Sequence, residues 1–99
     1  MEKTIDGERC ILEMDCDAIV AYEIEHPDWS IVKAISEASN NRISDMDRLT
    51  SFLRRNGENL GEDYLGFLKQ GFTIDDMQTA FRDGLTMLGF ISGADPSAE

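Results

Sequence analysis

Basic residues are scarce in this sequence of 99 residues. Nine lysines and arginines stand against 20 aspartates and glutamates, which gives a formal net charge of −11. A field of this sign repels phosphate backbones and anionic membrane surfaces. The charge balance therefore argues against direct binding to nucleic acid and against a membrane partner.

Long apolar runs are also absent. The longest are only a few residues, whereas a membrane-spanning helix needs about 20. Residues 1–4 (MEKT) lack the basic start and apolar centre of a signal peptide, so we expect a cytoplasmic protein. The length suits one small domain, which we place at residues 1–91. The small and polar residues 92–99 (SGADPSAE) predict a flexible C-terminal tail.

Side chains that could carry catalysis or bind a metal are few. Cys10 and Cys16 are the only cysteines and His26 is the only histidine, and a C-x5-C pair with one distant histidine matches no structural zinc pattern. No nucleophile has a base at a suggestive spacing, and no glycine-rich phosphate loop is present. We expect no metal, no cofactor and no enzymatic activity.

The first 14 residues have the pattern of a β-hairpin. Asp6-Gly7 can supply the positive φ angles of a two-residue turn, and it separates two short segments of the stretch KTIDGERCILEM. In the second segment Cys10, Leu12 and Met14 alternate with polar residues. We predict a hairpin at about residues 3–14 that lays this apolar face on the helices that follow, as an appendage to a helical body.

The rest of the chain has the patterns of five capped helices. They are predicted at about residues 15–26, 30–39, 44–56, 60–70 and 73–92. We interpret Asn40-Asn41 as the end of the second helix and RRNG, residues 54–57, as the end of the third. The apolar stripe predicted for the first helix consists of Cys16, Ile19, Val20 and Ile24. The fourth helix has Tyr64, Leu65 and Leu68 on one side, with Phe67 at the margin. The fold class is therefore mainly α, a small five-helix domain with an N-terminal β-hairpin (α+β).

The last predicted helix, FTIDDMQTAFRDGLTMLGFISG, has more apolar residues than one face can hold. Thr73 and Asp76 form a capping box at its start. One stripe should form part of the core and consists of Ile74, Met77, Phe81, Leu85 and Leu88. A second stripe adjoins it and consists of Ala80, Gly84, Met87 and Ile91, while Phe90 belongs to neither and faces the polar side. We expect the protein's own fourth helix, or its hairpin, to fill the small-residue part of this second stripe, and a partner to contact its end.

Several stretches together resemble a family of small phage proteins. A glycine-turn hairpin (IDGERCILEMDCDAI) precedes a helix with acidic residues, a Ser-Ile step (AYEIEHPDWSIVKAI) opens the next helix, and a threonine-capped acidic helix (GFTIDDMQTAFRDGLTML) comes near the end. This arrangement resembles the tail assembly chaperones of long-tailed bacteriophages and gene transfer agents. The resemblance covers roughly residues 5 to 91.

The resemblance implies a non-enzymatic function that depends on protein contacts. Members of that family bind the long, apolar, helical tape measure protein, help to recruit tail tube subunits and often self-associate, which would place this chain in the cytoplasm of a bacterial host. The expected partners are therefore tape measure and tail tube proteins, with a homo-oligomer as a further possibility. Candidate partner-binding residues lie outside the best-formed apolar stripes and are Met87, Phe90, Ile91, Phe67 and Tyr22.

The acidic composition supports a second hypothesis from another class. A compact acidic protein can block a nucleic-acid-binding protein by presenting carboxylates in place of phosphates, as DNA mimics and some anti-CRISPR proteins do. Such a mimic needs a continuous lane of carboxylates, whereas here most aspartates stand at predicted helix starts and arginines interrupt the distribution. An adaptor in transcription or metabolism is a third alternative that no residue excludes.

Overall fold

The described part of the chain is a mixed α+β fold of five helices and four strands. A computed structural model describes residues 1–38 and 42–90. In chain order its elements are β1 (Glu2–Ile5), β2 (Glu8–Met14), α1 (Cys16–Glu25), α2 (Ile31–Ala38), α3 (Ile43–Thr50), β3 (Leu53–Arg55), β4 (Glu58–Asn59), α4 (Tyr64–Lys69) and α5 (Ile74–Met87). The predicted end of the second helix at Asn40-Asn41 and the predicted tail lie outside the described residues.

The predicted N-terminal hairpin is present. Asp6 and Gly7 both have positive φ angles, 53° and 78°, and connect β1 to β2 in an antiparallel pair. The alternation predicted for β2 is confirmed, because Cys10, Leu12 and Met14 are all buried. The hairpin is not an appendage, however. β2 is an inner strand of a four-stranded antiparallel sheet in the order β1-β2-β3-β4, so it lies at the centre of the fold.

A second hairpin replaces the end of the third predicted helix. Instead of running from 44 to 56, α3 ends at Thr50, whose buried hydroxyl donates to the Met46 carbonyl at 2.7 Å. The chain then continues as β3, which pairs with β2, and turns at Asn56 and Gly57 with φ angles of 52° and 87°. Two successive positive φ angles are typical of a tight hairpin turn. Asn-Gly therefore specifies a turn between strands here and not the end of a helix.

Two short helices bury different faces from those predicted. On α1 the buried side chain is Ile19, while Val20 and Ile24 of the predicted apolar stripe are exposed. On α4 Phe67, predicted at the margin of the apolar side, is fully buried, whereas Leu65, predicted on that side, is exposed. The ring of Phe67 stacks on Phe72 with centroids 5.2 Å apart. In α4, which has only six residues, this aromatic contact decides which face is buried.

The longest helix, α5, packs across the inner strand β2. Ala80 and Gly84 are both buried at this contact. A Cβ atom placed on Gly84 would lie 2.9 Å from both Cβ and Cε of Met14, which is closer than packed atoms come, so glycine is needed for the close approach. We expected the fourth helix to be the main occupant of this small-residue groove, and that expectation is wrong. The hairpin strand β2, which we had considered as the other occupant, fills it.

A buried carboxylate joins the first helix to the second hairpin. Asp15 caps α1 by accepting the Ala18 N–H at 3.1 Å, and it also accepts from Asn59 at 2.8 Å and pairs with Arg54 at 2.9 Å. Burial by itself raises the pKa of Asp15, but these hydrogen bonds and the arginine outweigh it and lower the pKa below the usual value. Asp15 is therefore an ionised structural anchor at neutral pH.

Candidate protein-binding surface

The start of α5 is held firmly in place. The predicted capping box is confirmed, because Thr73 accepts the Asp76 N–H at 3.2 Å and the Asp76 carboxylate accepts the Thr73 N–H at 2.8 Å. Lys3 of β1 reaches the same carboxylate at 2.8 Å. Burial raises the pKa of Asp76, but the bonds from Lys3 and Thr73 prevail and lower it. The helix is thus fixed both to its own first turn and to the sheet.

The end of α5 is set by a glycine. The helix ends at Met87 and not at residue 92 as predicted, because Gly89 takes a left-handed φ of 87°. The Phe90 N–H then donates to the Leu85 carbonyl at 2.9 Å and the Gly89 N–H donates to the Thr86 carbonyl at 3.1 Å. This pair of bonds is a Schellman motif. It turns the chain back, so the helical spacing that placed Phe90 on the polar side does not apply.

Three large apolar side chains cluster in sequence at this helix end and remain exposed. Met87 is 76% exposed, Leu88 50% and Phe90 63%. We call these three residues the C-terminal patch. Met87 and Phe90 were predicted as partner-binding residues, and both are accessible. Leu88 was assigned to the core stripe, but it lies at the cap position, beyond the part of α5 that the other elements cover. Ile91, another of the five candidates, lies outside the described residues.

Beside the patch, an open apolar groove runs between α5 and the pair α2 and α3. Its volume is about 360 Å³. From α5 the lining residues are Ile74, Met77, Gln78, Phe81, Arg82 and Leu85. From α2 and α3 they are Ile35, Ala38, Met46 and Leu49. We call this the helical groove. Leu85 lines one end of the groove and its carbonyl accepts the Phe90 N–H, so the helix end that carries the C-terminal patch begins where the groove ends. Met87 itself lines a separate small cavity against β2, together with Met14 and Gly84.

The other two predicted partner-binding residues are engaged inside the molecule. Phe67 has no exposed area, so its prediction as a contact residue is wrong: its ring is part of the core. Tyr22 is half-buried, with its ring stacked on His26 at 4.0 Å and edge-on to Trp29 at 4.7 Å. Its hydroxyl accepts a hydrogen bond from Arg48 at 2.9 Å. Tyr22 therefore belongs to an aromatic cluster with His26, Trp29 and Phe52.

Comparison with known proteins gave no match. No protein-family profile, curated protein or solved structure matches this chain. Within residues 1–38 and 42–90, no helix is long and apolar enough to cross a membrane, and no group of three or more histidine, cysteine, aspartate or glutamate side chains could hold a metal ion. Cys10 and Cys16 are free thiols.

The sequence missed two parts of this surface for physical reasons. The helical groove depends on how α2 and α3 lie against α5, which is a tertiary relation that no periodicity within one helix contains. The exposure of Leu88 depends on where α5 ends. A signal for that end was present, because glycine followed by an apolar residue just after a helix is typical of a Schellman motif. Read in that way, Leu88-Gly89-Phe90 would have predicted the patch.

Proposed function

We propose that this protein is a non-enzymatic protein-binding module that holds an apolar, helical client, in the manner of a phage tail assembly chaperone. The observation that carries the proposal is the C-terminal patch beside the helical groove: three neighbouring large apolar side chains, fixed by a Schellman motif, next to an open apolar surface. Clusters of this kind on an otherwise polar surface mark binding sites. A tape measure protein has the matching chemistry.

The size of the patch fits reversible binding. Full burial of a methionine, leucine or phenylalanine side chain contributes roughly 1.5–3 kcal/mol. Because these side chains are half to three quarters exposed, covering all three supplies roughly 3–6 kcal/mol. Association itself costs an estimated ~4–15 kcal/mol. The patch alone is therefore too small for tight binding, and a client must also use the groove or engage several copies. An assembly factor that later releases its client needs affinity of this limited kind.

The strong negative charge has a role in the same proposal. A net charge of −11 on 99 residues keeps copies of the protein apart in solution and so opposes aggregation. A client covered by such copies gains the same repulsion. The apolar surface would hold the client while the acidic surface keeps the complex dispersed.

Co-expression with a helical segment of a tape measure protein tests this proposal. The measured quantity is the fraction of the segment that stays in the supernatant after centrifugation. We expect the wild-type protein to raise this fraction and the double variant Met87→Asp/Phe90→Asp to lose the effect. The matched control is Val20→Asp/Ile24→Asp, which changes two similarly exposed apolar residues on α1 (54% and 74% exposed). If the patch variant and the control both solubilise the client as well as the wild type does, the proposal fails.

One observation favours the second candidate, an acidic inhibitor of a nucleic-acid-binding protein. Four basic residues that break up the acidic sequence pair with the protein's own carboxylates: Lys3, Arg9, Arg54 and Arg55. Local pairing of this kind leaves the unpaired carboxylates to dominate the outer surface. The two candidates differ in salt dependence, because contacts between exposed charges are screened and apolar contacts are not. Capture of a basic nucleic-acid-binding protein that disappears as the salt concentration rises would favour the inhibitor.

A further inference from the structure

One basic residue in the described part of the chain differs from the others in lying on the helical groove. Arg82 is exposed on α5 and is the one charged residue among those that line the helical groove. Within residues 1–38 and 42–90 Arg82 makes no ion pair. Four other basic residues share this property, but none of them lines the helical groove: Lys33, Arg42, Arg48 and Lys69. A guanidinium beside an apolar groove that has no ion-pair partner among the described residues can pair with a carboxylate of another molecule.

The carboxylate that neighbours Arg82 in the sequence is directed elsewhere. Asp83 follows Arg82 directly, but successive helical side chains point about 100° apart, and the Asp83 carboxylate lies 3.6 Å from the amino group of Met1. Gln78, one turn before Arg82, is neutral. Beside an apolar lining, a charge is less screened than in open water, so Arg82 would discriminate between partner charges more strongly than a fully solvated lysine.

The shape of the groove limits what can enter it. Between Ile74 and Leu85 the groove follows about three turns of α5, or about 16 Å. Most of its apolar lining is itself buried, so an occupant would contact side chains that already form part of the core. A cavity of about 150 Å³ accepts one benzene ring, so a groove of about 360 Å³ has space for two large apolar side chains. A helix lying along α5 would present such side chains one or two turns apart.

We propose that Arg82 selects the client by charge: the segment that binds in the helical groove is an amphipathic helix of about three turns that inserts two apolar side chains and places a carboxylate next to Arg82. This inference rests on the proposed function and adds a specificity rule to it. Apolar insertion supplies attraction to any helical client, and the guanidinium favours helices with an acidic residue beside the apolar stripe. Arginine suits this role because its planar donor fork matches a carboxylate.

Designed peptides test the rule directly. The probes are cross-linked helical peptides of about 14 residues, because shorter free helices are marginal in water. They are alanine-based, with a stripe of leucines at i, i+4 and i+7. Each peptide carries one charged residue, glutamate or lysine, on one flank of that stripe or on the other, which makes four peptides. Binding is measured by fluorescence anisotropy. We expect one glutamate peptide to bind the wild type about fivefold more tightly than its lysine counterpart, the upper range for an exposed ion pair.

Three variants make the result specific. In Arg82→Gln the preference for glutamate should disappear, and in Arg82→Glu it should reverse. The matched control Lys69→Glu makes the same charge change at an exposed position on α4 away from the groove and should keep the preference. Because Arg82 and Lys69 are both exposed, all three variants should unfold at nearly the wild-type temperature. The preference should weaken as salt is added.

The outcomes separate this inference from the proposed function. If the peptides bind without any charge preference, or the preference survives in Arg82→Glu, the charge rule is wrong while the binding function stands. If no peptide binds but the tape measure segment is still solubilised through the C-terminal patch, the groove is not the binding site and the inference is wrong. If the patch variants leave the client soluble, the proposed function itself fails, whatever the peptides do.

Discussion

The junction at Asp15 gives the sharpest prediction about stability. Two aspartates contact the same guanidinium of Arg54 in very different surroundings. Asp15 lies 2.9 Å from it with a side chain only 8% exposed, and Asp17 lies 2.8 Å from it with a side chain 95% exposed. The two ion pairs are almost identical in length. A difference in their contribution to stability must therefore come from burial and from the other bonds that Asp15 makes.

The expected magnitudes follow from those bonds. Replacing Asp15 with alanine removes the cap of α1, which contributes about 1 kcal/mol, and a hydrogen-bonded charge at a buried position, which contributes about 2 kcal/mol. Arg54 and Asn59 each keep another partner, which limits the penalty for unpaired groups. We expect Asp15→Ala to lower the free energy of unfolding by about 3 kcal/mol. An exposed pair contributes about 0.2–1 kcal/mol, so Asp17→Ala should cost less than about 1 kcal/mol.

Urea denaturation followed by tryptophan fluorescence measures both variants. Trp29 is the only tryptophan, and its ring lies 5.2 Å from that of Phe52 in the folded protein, so its emission should change on unfolding. Asp15→Asn separates the two contributions, because asparagine is also a good helix cap but carries no charge. It should fall between the wild type and Asp15→Ala. Equal losses of unfolding free energy in Asp15→Ala and Asp17→Ala would show that burial of Asp15 does not strengthen its contribution.

Three further predictions concern acid and the core. Asp15 and Asp76 have lowered pKa values in the folded state, so their stabilising contribution is fully present above the unfolded pKa, near 3.8, and is lost as pH falls below that value. In urea denaturation at a series of pH values, the difference in unfolding free energy between the wild type and Asp15→Asn should shrink below that pH. A difference that stays constant with pH would contradict the lowered pKa of Asp15. Phe67→Ala should cost about 3–5 kcal/mol in the same denaturation assay, whereas a loss below about 1 kcal/mol would mean that Phe67 is not core. Gly84→Ala should destabilise by about 1 kcal/mol, because crowding against Met14 costs more than the helix propensity gained; a rise in melting temperature would contradict this close contact.

Local patterns predicted much of the fold. The alternation of Cys10, Leu12 and Met14 predicted β2 and its buried face. Alternate side chains of a strand lie on the same face, so an apolar set at every second position fixes which face is buried. The capping box of Thr73 and Asp76 predicted the start of α5 to the residue. Both signals are local: their physical cause lies within a few residues of the chain.

The errors arose where one local signal had two meanings. Asn56-Gly57 can end a helix or connect two strands, and only the pairing of β3 with β2 decides between them. In α4 the choice between Phe67 and Leu65 depends on the Phe72 ring against which Phe67 stacks. The candidate site also has parts that local sequence patterns predict and parts that depend on tertiary packing. The exposed Met87 and Phe90 could be proposed from the sequence, whereas the groove and the position of Arg82 on it required three helices in place.

Nuclear magnetic resonance mapping tests the central claim most directly. The ¹⁵N-labelled full chain is titrated with the helical tape measure segment, and amide shift changes are recorded along the sequence. Our account predicts the largest changes at residues 85–90 and along the helical groove, with little change on α1, and the same map at high salt. Changes confined to the acidic surface that disappear with salt, or no changes at all, would contradict the account.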